Sequence, residues 1–119
     1  MKHILWVSRH PPTKKQMTYL SKILEDDDII IARHSHTVVR HKDLIKEYRT
    51  GKYDDLVVTL PTEMIGRICA AGIFPIRAVH EMIGCDPGSN MRNYRFLRFE
   101  RVHSVTVEAT YLSGGEDNE

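Results

Sequence analysis

Three short runs of uninterrupted apolar residues, Ile4-Leu5-Trp6-Val7, Ile29-Ile30-Ile31 and Leu56-Val57-Val58, are separated by segments with helical spacing. A strand with no polar member needs cover on both faces, whereas an alternating strand can leave one face in water. A sheet of such strands therefore has helices above and below it, and the intervening segments can supply them. Behind Pro11-Pro12, Thr13-x-x-Gln16 has the pattern of a capping box, followed by Met17, Leu20, Ile23 and Leu24 at helical spacing. Leu44, Ile45 and Tyr48 form a weaker stripe that ends at Thr50-Gly51. A third helix has Pro61 in its first turn and Glu63 near its positive end. Its buried face is Met64, Ile65, Ile68 and Cys69, and it stops at Gly72. Residues 73–79 read as a fourth strand whose Pro75 suits a strand start or a sheet edge. Residues 82–93, rich in glycine and asparagine, read as a loop, with Cys85 in it. Residues 94–112 alternate in places and read as one long strand or a hairpin, antiparallel to the rest or paired with a second subunit. The order β-α-β-α-β-α-β-β predicts an α/β protein, a small Rossmann-like three-layer sandwich. Its sheet is mostly parallel, with antiparallel C-terminal strands.

The length of 119 residues suits one domain over residues 1–113, followed by a disordered acidic tail at 114–119. The apolar runs are far too short to span a membrane, and the segment after Met1-Lys2-His3 lacks the core of a signal peptide. A cytoplasmic protein is expected. Cys69 and Cys85 lack the spacing of a zinc ribbon or a redox pair, and Cys69 falls on the apolar helix face as filler. No disulfide is expected in a reducing compartment.

A formal net charge of +1 hides a separation along the strands. Acids precede them: Glu25 to Asp28 before the second, Asp54-Asp55 before the third. Basic and hydroxyl residues follow them: Ser8-Arg9-His10, Arg33-His34-Ser35-His36, and Thr59. Open α/β sheets bind ligands outside the carboxyl ends of their strands. A cationic carboxyl edge implies an anionic guest, most simply a phosphate ester.

Each segment at that edge has a functional and a plainer role. Ser8, Arg9 and His10 join a strand end to a helix N-terminus, where backbone N–H groups favour anions. Arg9 can grip a phosphate bidentately and Lys14 and Lys15 add charge, whereas Thr13 and Gln16 suffice as a cap. His34 and His36, with His41, lack a nearby cysteine or carboxylate to complete a metal site, so no metal is expected. They can donate to a phosphate or move a proton near neutral pH, or simply decorate a polar loop. Thr59 and Thr62 can present hydroxyls beside exposed N–H groups or cap the third helix.

Neither a phosphate-binding P-loop nor a dinucleotide-binding glycine pattern is present, which disfavours nucleotide hydrolysis of that kind and ordinary dinucleotide binding. No clustered carboxylates occupy the cationic edge to hold two metals. RNA offers a route without metal. Its 2′-hydroxyl is an internal nucleophile that needs only alignment and stabilisation of the developing charge.

Ser8-Arg9-His10 with Thr13 and Gln16, then Val57-Val58-Thr59-Leu60-Pro61, the helix at 64–71 and Phe96-x-Arg98-Phe99 together resemble the small stand-alone ring nucleases of type III CRISPR systems. The resemblance implies a Rossmann-like homodimer, akin to CRISPR-associated nucleotide-sensing domains. It would bind cyclic oligoadenylate across its two-fold axis and open the ring without a metal or cofactor, so switching off antiviral signalling. Ser8, Arg9, His10, Thr13 and Gln16 match the first motif; Thr59, Pro61 and Thr62 match the second.

The leading expectation is such a phosphodiesterase. Arg9 and Lys14 would bind phosphate, Ser8 and Thr59 would orient it, His10 would move the proton, and His34 is the second choice. Arg33, Thr13, Gln16, Pro61 and Thr62 complete the ligand-binding set. The rivals are a sensor or sponge for the same ligand, a general nucleic-acid-binding protein, and an interaction subunit. Near-neutral charge disfavours a binder of long nucleic acid.

Overall fold

In a computed structural model of the chain, residues 1–34, 39–85, 88, 92–106, 109, 110 and 112 are described, of 85 and 92 the backbone only. The 114–119 segment expected to be a tail lies outside the described residues, as does most of the centre of the expected 82–93 loop. The elements are β1 (Lys2–Val7), α1 (Lys14–Leu24), β2 (Ile29–Arg33), α2 (His41–Thr50), β3 (Asp55–Val58), α3 (Thr62–Ala70), β4 (Ile76–Cys85) and β5 (Arg92–Arg101). They form one five-stranded sheet in the order β2-β1-β3-β4-β5. β1 runs parallel to β2 and β3, β3 parallel to β4, and β5 closes the sheet antiparallel to β4. This is the α/β architecture expected from the sequence.

The apolar runs of β1 and β3 are buried on both faces because the two faces have separate cores; that of β2, an edge strand, is only partly covered, and Ile30 is 43% exposed. Ile4, Trp6, Val57 and Ile76 pack with Leu20 of α1 on one face. Leu5, Val7, Leu56 and Val58 pack with Leu44 of α2 and with Ile65 and Ile68 of α3 on the other. Truncating such a side chain to alanine typically costs about 2–5 kcal/mol.

The caps agree in part with the sequence. The Thr13–Gln16 capping box is complete in both directions, and Gly72, with φ of 87°, sits just past α3. Pro61 is the N-cap of α3 rather than a residue of its first turn, and no side chain caps that end. Its carbonyl instead accepts from the backbone N–H groups of Met64 and Ile65 at 3.0 and 3.1 Å. The expected role of Thr59 and Thr62 as caps is therefore not used.

The C-terminal third departs from expectation. The fourth strand starts at Ile76 and not at residue 73, since Pro75 has no N–H for a ladder; its carbonyl accepts from Val102 N at 2.9 Å. The segment 82–85, expected as loop, belongs to β4, and Asn93 belongs to β5. Gly84 is tolerated there because register shifts fall between Met82 and Gly84 and between Val79 and His80, and its φ of 142° suits such an irregularity. The hairpin is β4–β5 and not residues 94–112. The chain leaves the sheet at Val102, which is buried, and Val105 packs against Gly66 of α3.

Candidate functional site

The connections from β1 diverge: one leads through α1 to β2 on one side, and β3 lies on the other. The strand order reverses at β1, so the crevice at its carboxyl end is the position where such sheets accept ligands. The ladder continues just past the strand ends. His34 N donates to Trp6 O at 3.0 Å and Thr59 N to Val7 O at 2.9 Å. Ser8, His34 and Thr59 therefore emerge at nearly one level. They line a cleft of about 930 Å³ together with Arg9, Arg33 and Pro61, whose apolar lining is Val7, Val39, Leu60 and Met64.

The loop after β1 is tied down at both ends. The Trp6 indole N–H donates to the His10 carbonyl at 2.8 Å, and the buried Trp6 ring is itself fixed in the core. Arg33 Nη2 donates to the Arg9 carbonyl at 3.1 Å, so the end of β2 braces the end of β1. Among the described residues no carboxylate pairs with the Arg9 or the Arg33 guanidinium. Arg67, Arg77, Arg95, Arg98 and Arg101 all have such a partner, whereas Arg40 and Arg49, on the side of α2, also lack one. Two exposed, unneutralised guanidinium groups thus share the mouth of the cleft.

Three acids at the opposite edge are occupied. Asp55 is held by Arg101 through two bonds of 2.7 Å, Asp54 accepts from His3 N at 2.7 Å, and Asp26 holds the N-terminal ammonium at 2.9 Å. The N-terminal amine holds the Asp26 carboxyl below the usual carboxylate range. The charge separation along the strands thus has two sources. Asp26, Asp54 and Asp55 serve the fold, whereas the guanidinium groups of Arg9 and Arg33 have no carboxylate partner among the described residues, Arg33 bonding only to the Arg9 carbonyl.

His34 is a nearly buried member of the cleft lining. Its side chain is only 5 % exposed, and Nδ1 lies 2.5 Å from Oε1 of Glu47 on α2. A carboxylate accepts, so Nδ1 is the donor in this bond. Such a pair fixes ring orientation in the same way as the carboxylate of a hydrolytic triad.

The remaining sequence candidates lie elsewhere. His10 is exposed, and its N–H approaches Ser8 Oγ at 3.4 Å, but its side chain does not line the cleft. Thr13 and Gln16 are engaged with each other: Thr13 N donates to Gln16 Oε1 at 2.9 Å and Gln16 N to Thr13 Oγ1 at 3.1 Å, and Gln16 is buried. Lys14 is exposed in the first turn of α1, outside the lining. Thr62 lines a smaller neighbouring cleft of about 270 Å³ with Thr59, Leu60 and Arg77. His36 lies outside the described residues, and His41 is the first residue of α2. Among the described residues no three His, Cys, Asp or Glu side chains converge as a metal-binding group, and no helix is long and apolar enough to cross a membrane.

Two residues carry no signal strong enough to single them out in the sequence. Glu47 follows Leu44 by three positions on the same face of α2, and that spacing is the one available clue. Arg77 borders the smaller cleft but is committed to Glu100, whose carboxyl is held low by Arg77 first and Arg98 second. Compared with family models, curated proteins and solved structures, the chain matches none.

Proposed function

We propose that the chain is a metal-independent phosphodiesterase that opens a cyclic oligoadenylate ring, acting as a homodimer. The observation that carries this reading is the pair of unneutralised guanidinium groups, Arg9 and Arg33, at the topological switch point beside the hydroxyls of Ser8 and Thr59. Arginine without a carboxylate is the group best matched to a phosphodiester. In the reaction the ribose 2′-oxygen attacks phosphorus, forming O2′–P while P–O5′ breaks. His34, oriented by Glu47, takes the 2′ proton, and the leaving 5′-oxygen is protonated from solvent. Arg9 and Arg33 hold the non-bridging oxygens as charge builds there. The products are a 2′,3′-cyclic phosphate and a 5′-hydroxyl, and no oxidant or cofactor enters. Apolar residues Val39, Leu60 and Met64 give the adenine rings a surface to contact.

Single-turnover incubation of the purified chain with cyclic tetra-adenylate or hexa-adenylate in EDTA tests this. Linear product with a 2′,3′-cyclic end is expected; an unchanged ring refutes catalysis. A second reading, a non-catalytic sensor or sponge, is favoured by one fact. His34 is nearly buried and the exposed His10 lies outside the cleft lining, so the cleft offers little proton-transfer surface before a ligand arrives. Tight calorimetric binding without product on chromatography selects it.

A further inference from the structure

A row of rings runs from the core to the surface on the α1 side of the sheet. Trp6 meets Phe99 of β5 edge-on, with 6.3 Å between centroids, and Phe99 meets Phe96 at 4.8 Å. Phe96 in turn meets His80 of β4 at 5.8 Å and Tyr19 of α1 at 5.7 Å. The inner end of the row belongs to the core under α1. The outer end is open. His80 lies opposite Phe96 and Met82 opposite Tyr94, with no register shift between these pairs, so all four share one face of the β4–β5 ribbon. Tyr94 is 59% exposed, Met82 54%, and His80 is exposed as well. β3 stops level with Arg77, so beyond that point no described residue other than those of β5 pairs with β4. The chain that leaves β5 is drawn to the opposite face, where Val102 and Val105 join the core under α2 and α3.

Charge divides between the two faces of the ribbon. Its two acids, Glu81 and Glu100, alternate onto the face away from the rings. Arg95 holds the first, and Arg77 and Arg98 hold the second, so that face is electrostatically closed. The ring face receives no acid from either strand. Beside it stands Lys15 of α1, whose Nζ is 5.8 Å from the centroid of the Tyr19 ring. Among the described residues no carboxylate pairs with Lys15.

An apolar protein partner would gain from Met82 but would bury an unpaired ammonium and the polar edges of Tyr94 and His80. A flat base laid on those rings leaves their edges in water and brings its phosphate to the lysine. We infer that this face is a stacking platform for a short single-stranded oligonucleotide, with bases on Tyr94 and His80 and a phosphate at Lys15. Aromatic rings with a cation alongside hold single strands with little sequence preference. The platform is separate from the cleft. Val7, Val39 and Leu60 of the cleft lining pack with the core under α2 and α3, so the two sites lie on opposite faces of the sheet. Near-neutral net charge suits a guest held by stacking at a few nucleotides rather than along a long strand.

Fluorescence anisotropy with end-labelled hexa-deoxyadenylate and hexa-deoxythymidylate tests the platform. Neither carries a 2′-hydroxyl, so neither can be cleaved by the route proposed for the cleft. Titrating the full-length Arg9→Met/Arg33→Met variant beside wild type removes the cleft as a competing site. Both oligonucleotides are expected to bind both proteins alike. Tyr94→Ser, at an exposed position, should weaken binding by at least about 5-fold, and Tyr94→Phe should bind as wild type. With one phosphate contact, a tenfold rise in salt should weaken binding about 5-fold, and Lys15→Gln should remove most of that dependence. Failure of both oligonucleotides to bind at millimolar protein would overturn the inference and leave the face to a protein partner. Unchanged affinity in Tyr94→Ser would overturn it too. So would loss of binding in the Arg9→Met/Arg33→Met variant, which would put the guest in the cleft. A salt effect of about 100-fold or more would mean diffuse phosphate binding in place of stacking, and would equally overturn it. None of these outcomes bears on ring opening, which is assayed on the cyclic substrate.

Discussion

Arg101→Met is expected to destabilise the protein strongly, whereas Arg33→Met is not. Asp55 is 9% exposed, and its two oxygens each take a 2.7 Å bond from Arg101, whose guanidinium Nη1 also donates to the Phe74 carbonyl at 2.8 Å. Without Arg101, Asp55 keeps the 2.9 Å bond from its neighbour Leu56 N, which cannot balance a full charge. Removing one partner of a fully buried pair costs about 3–5 kcal/mol; with the Arg101 side chain 36% exposed, the discounted cost is about 2–4 kcal/mol. At roughly 3–6 °C per kcal/mol for a domain of this size, melting should fall by about 8–20 °C. Asp55→Asn, which keeps the shape, should cost less, about 1–2 kcal/mol. The double variant should be more stable than the sum of the singles implies, because it leaves no orphaned charge. Arg33→Met loses one exposed bond to a carbonyl and should stay within about 0.5 kcal/mol of wild type. Thermal and urea unfolding followed by circular dichroism measure all four. Equal effects of Arg101→Met and Arg33→Met, or strictly additive Asp55 and Arg101 effects, would refute the division between structural acids at one edge and uncommitted arginines at the other.

Other outcomes follow from the same geometry. Thr13→Ala should cost about 1 kcal/mol in unfolding free energy, by loss of the capping box. Glu100 is held below its ordinary range by Arg77 and Arg98, so its contribution is present above the usual carboxylate range and lost as pH falls through its lowered value. Glu100→Gln should accordingly flatten the acid limb of a stability–pH curve and leave the alkaline limb alone. Glu47→Gln keeps a bond to His34 but removes the charge. It should slow ring opening about 10- to 100-fold with little change in affinity, a split that single-turnover rates and calorimetry resolve.

The layering is legible in the sequence because strands buried on both faces carry no polar residue, as at Ile4 to Val7 and Leu56 to Val58. Where those apolar runs stop, the strands stop, and the strand ends alone put Ser8, Arg9, Arg33, His34 and Thr59 at one edge. The capping box is readable too, but it competes with a ligand role for Thr13 and Gln16, and the fold uses both residues in the cap. The β4–β5 ribbon is hidden for a physical reason. Two register shifts interrupt its alternation and Gly84 sits at one of them, so a strand presents itself as a glycine-rich loop. The partner of His34 is obscured because Glu47 lies 13 residues further on, and only the docking of α2 on the sheet brings them together. The exposed position of His10 depends on the Trp6 indole capturing its carbonyl, a contact that no local pattern encodes.

The central claim is that Arg9 and Arg33 are left without carboxylates in order to hold phosphodiester oxygens. Calorimetric titration of cyclic hexa-adenylate into wild type and into Arg9→Met/Arg33→Met tests it most directly. At about 1.5–3 kcal/mol for each charged contact, the double variant should bind at least 100-fold more weakly while melting at the wild-type temperature. Equal affinity in the two proteins would contradict the account.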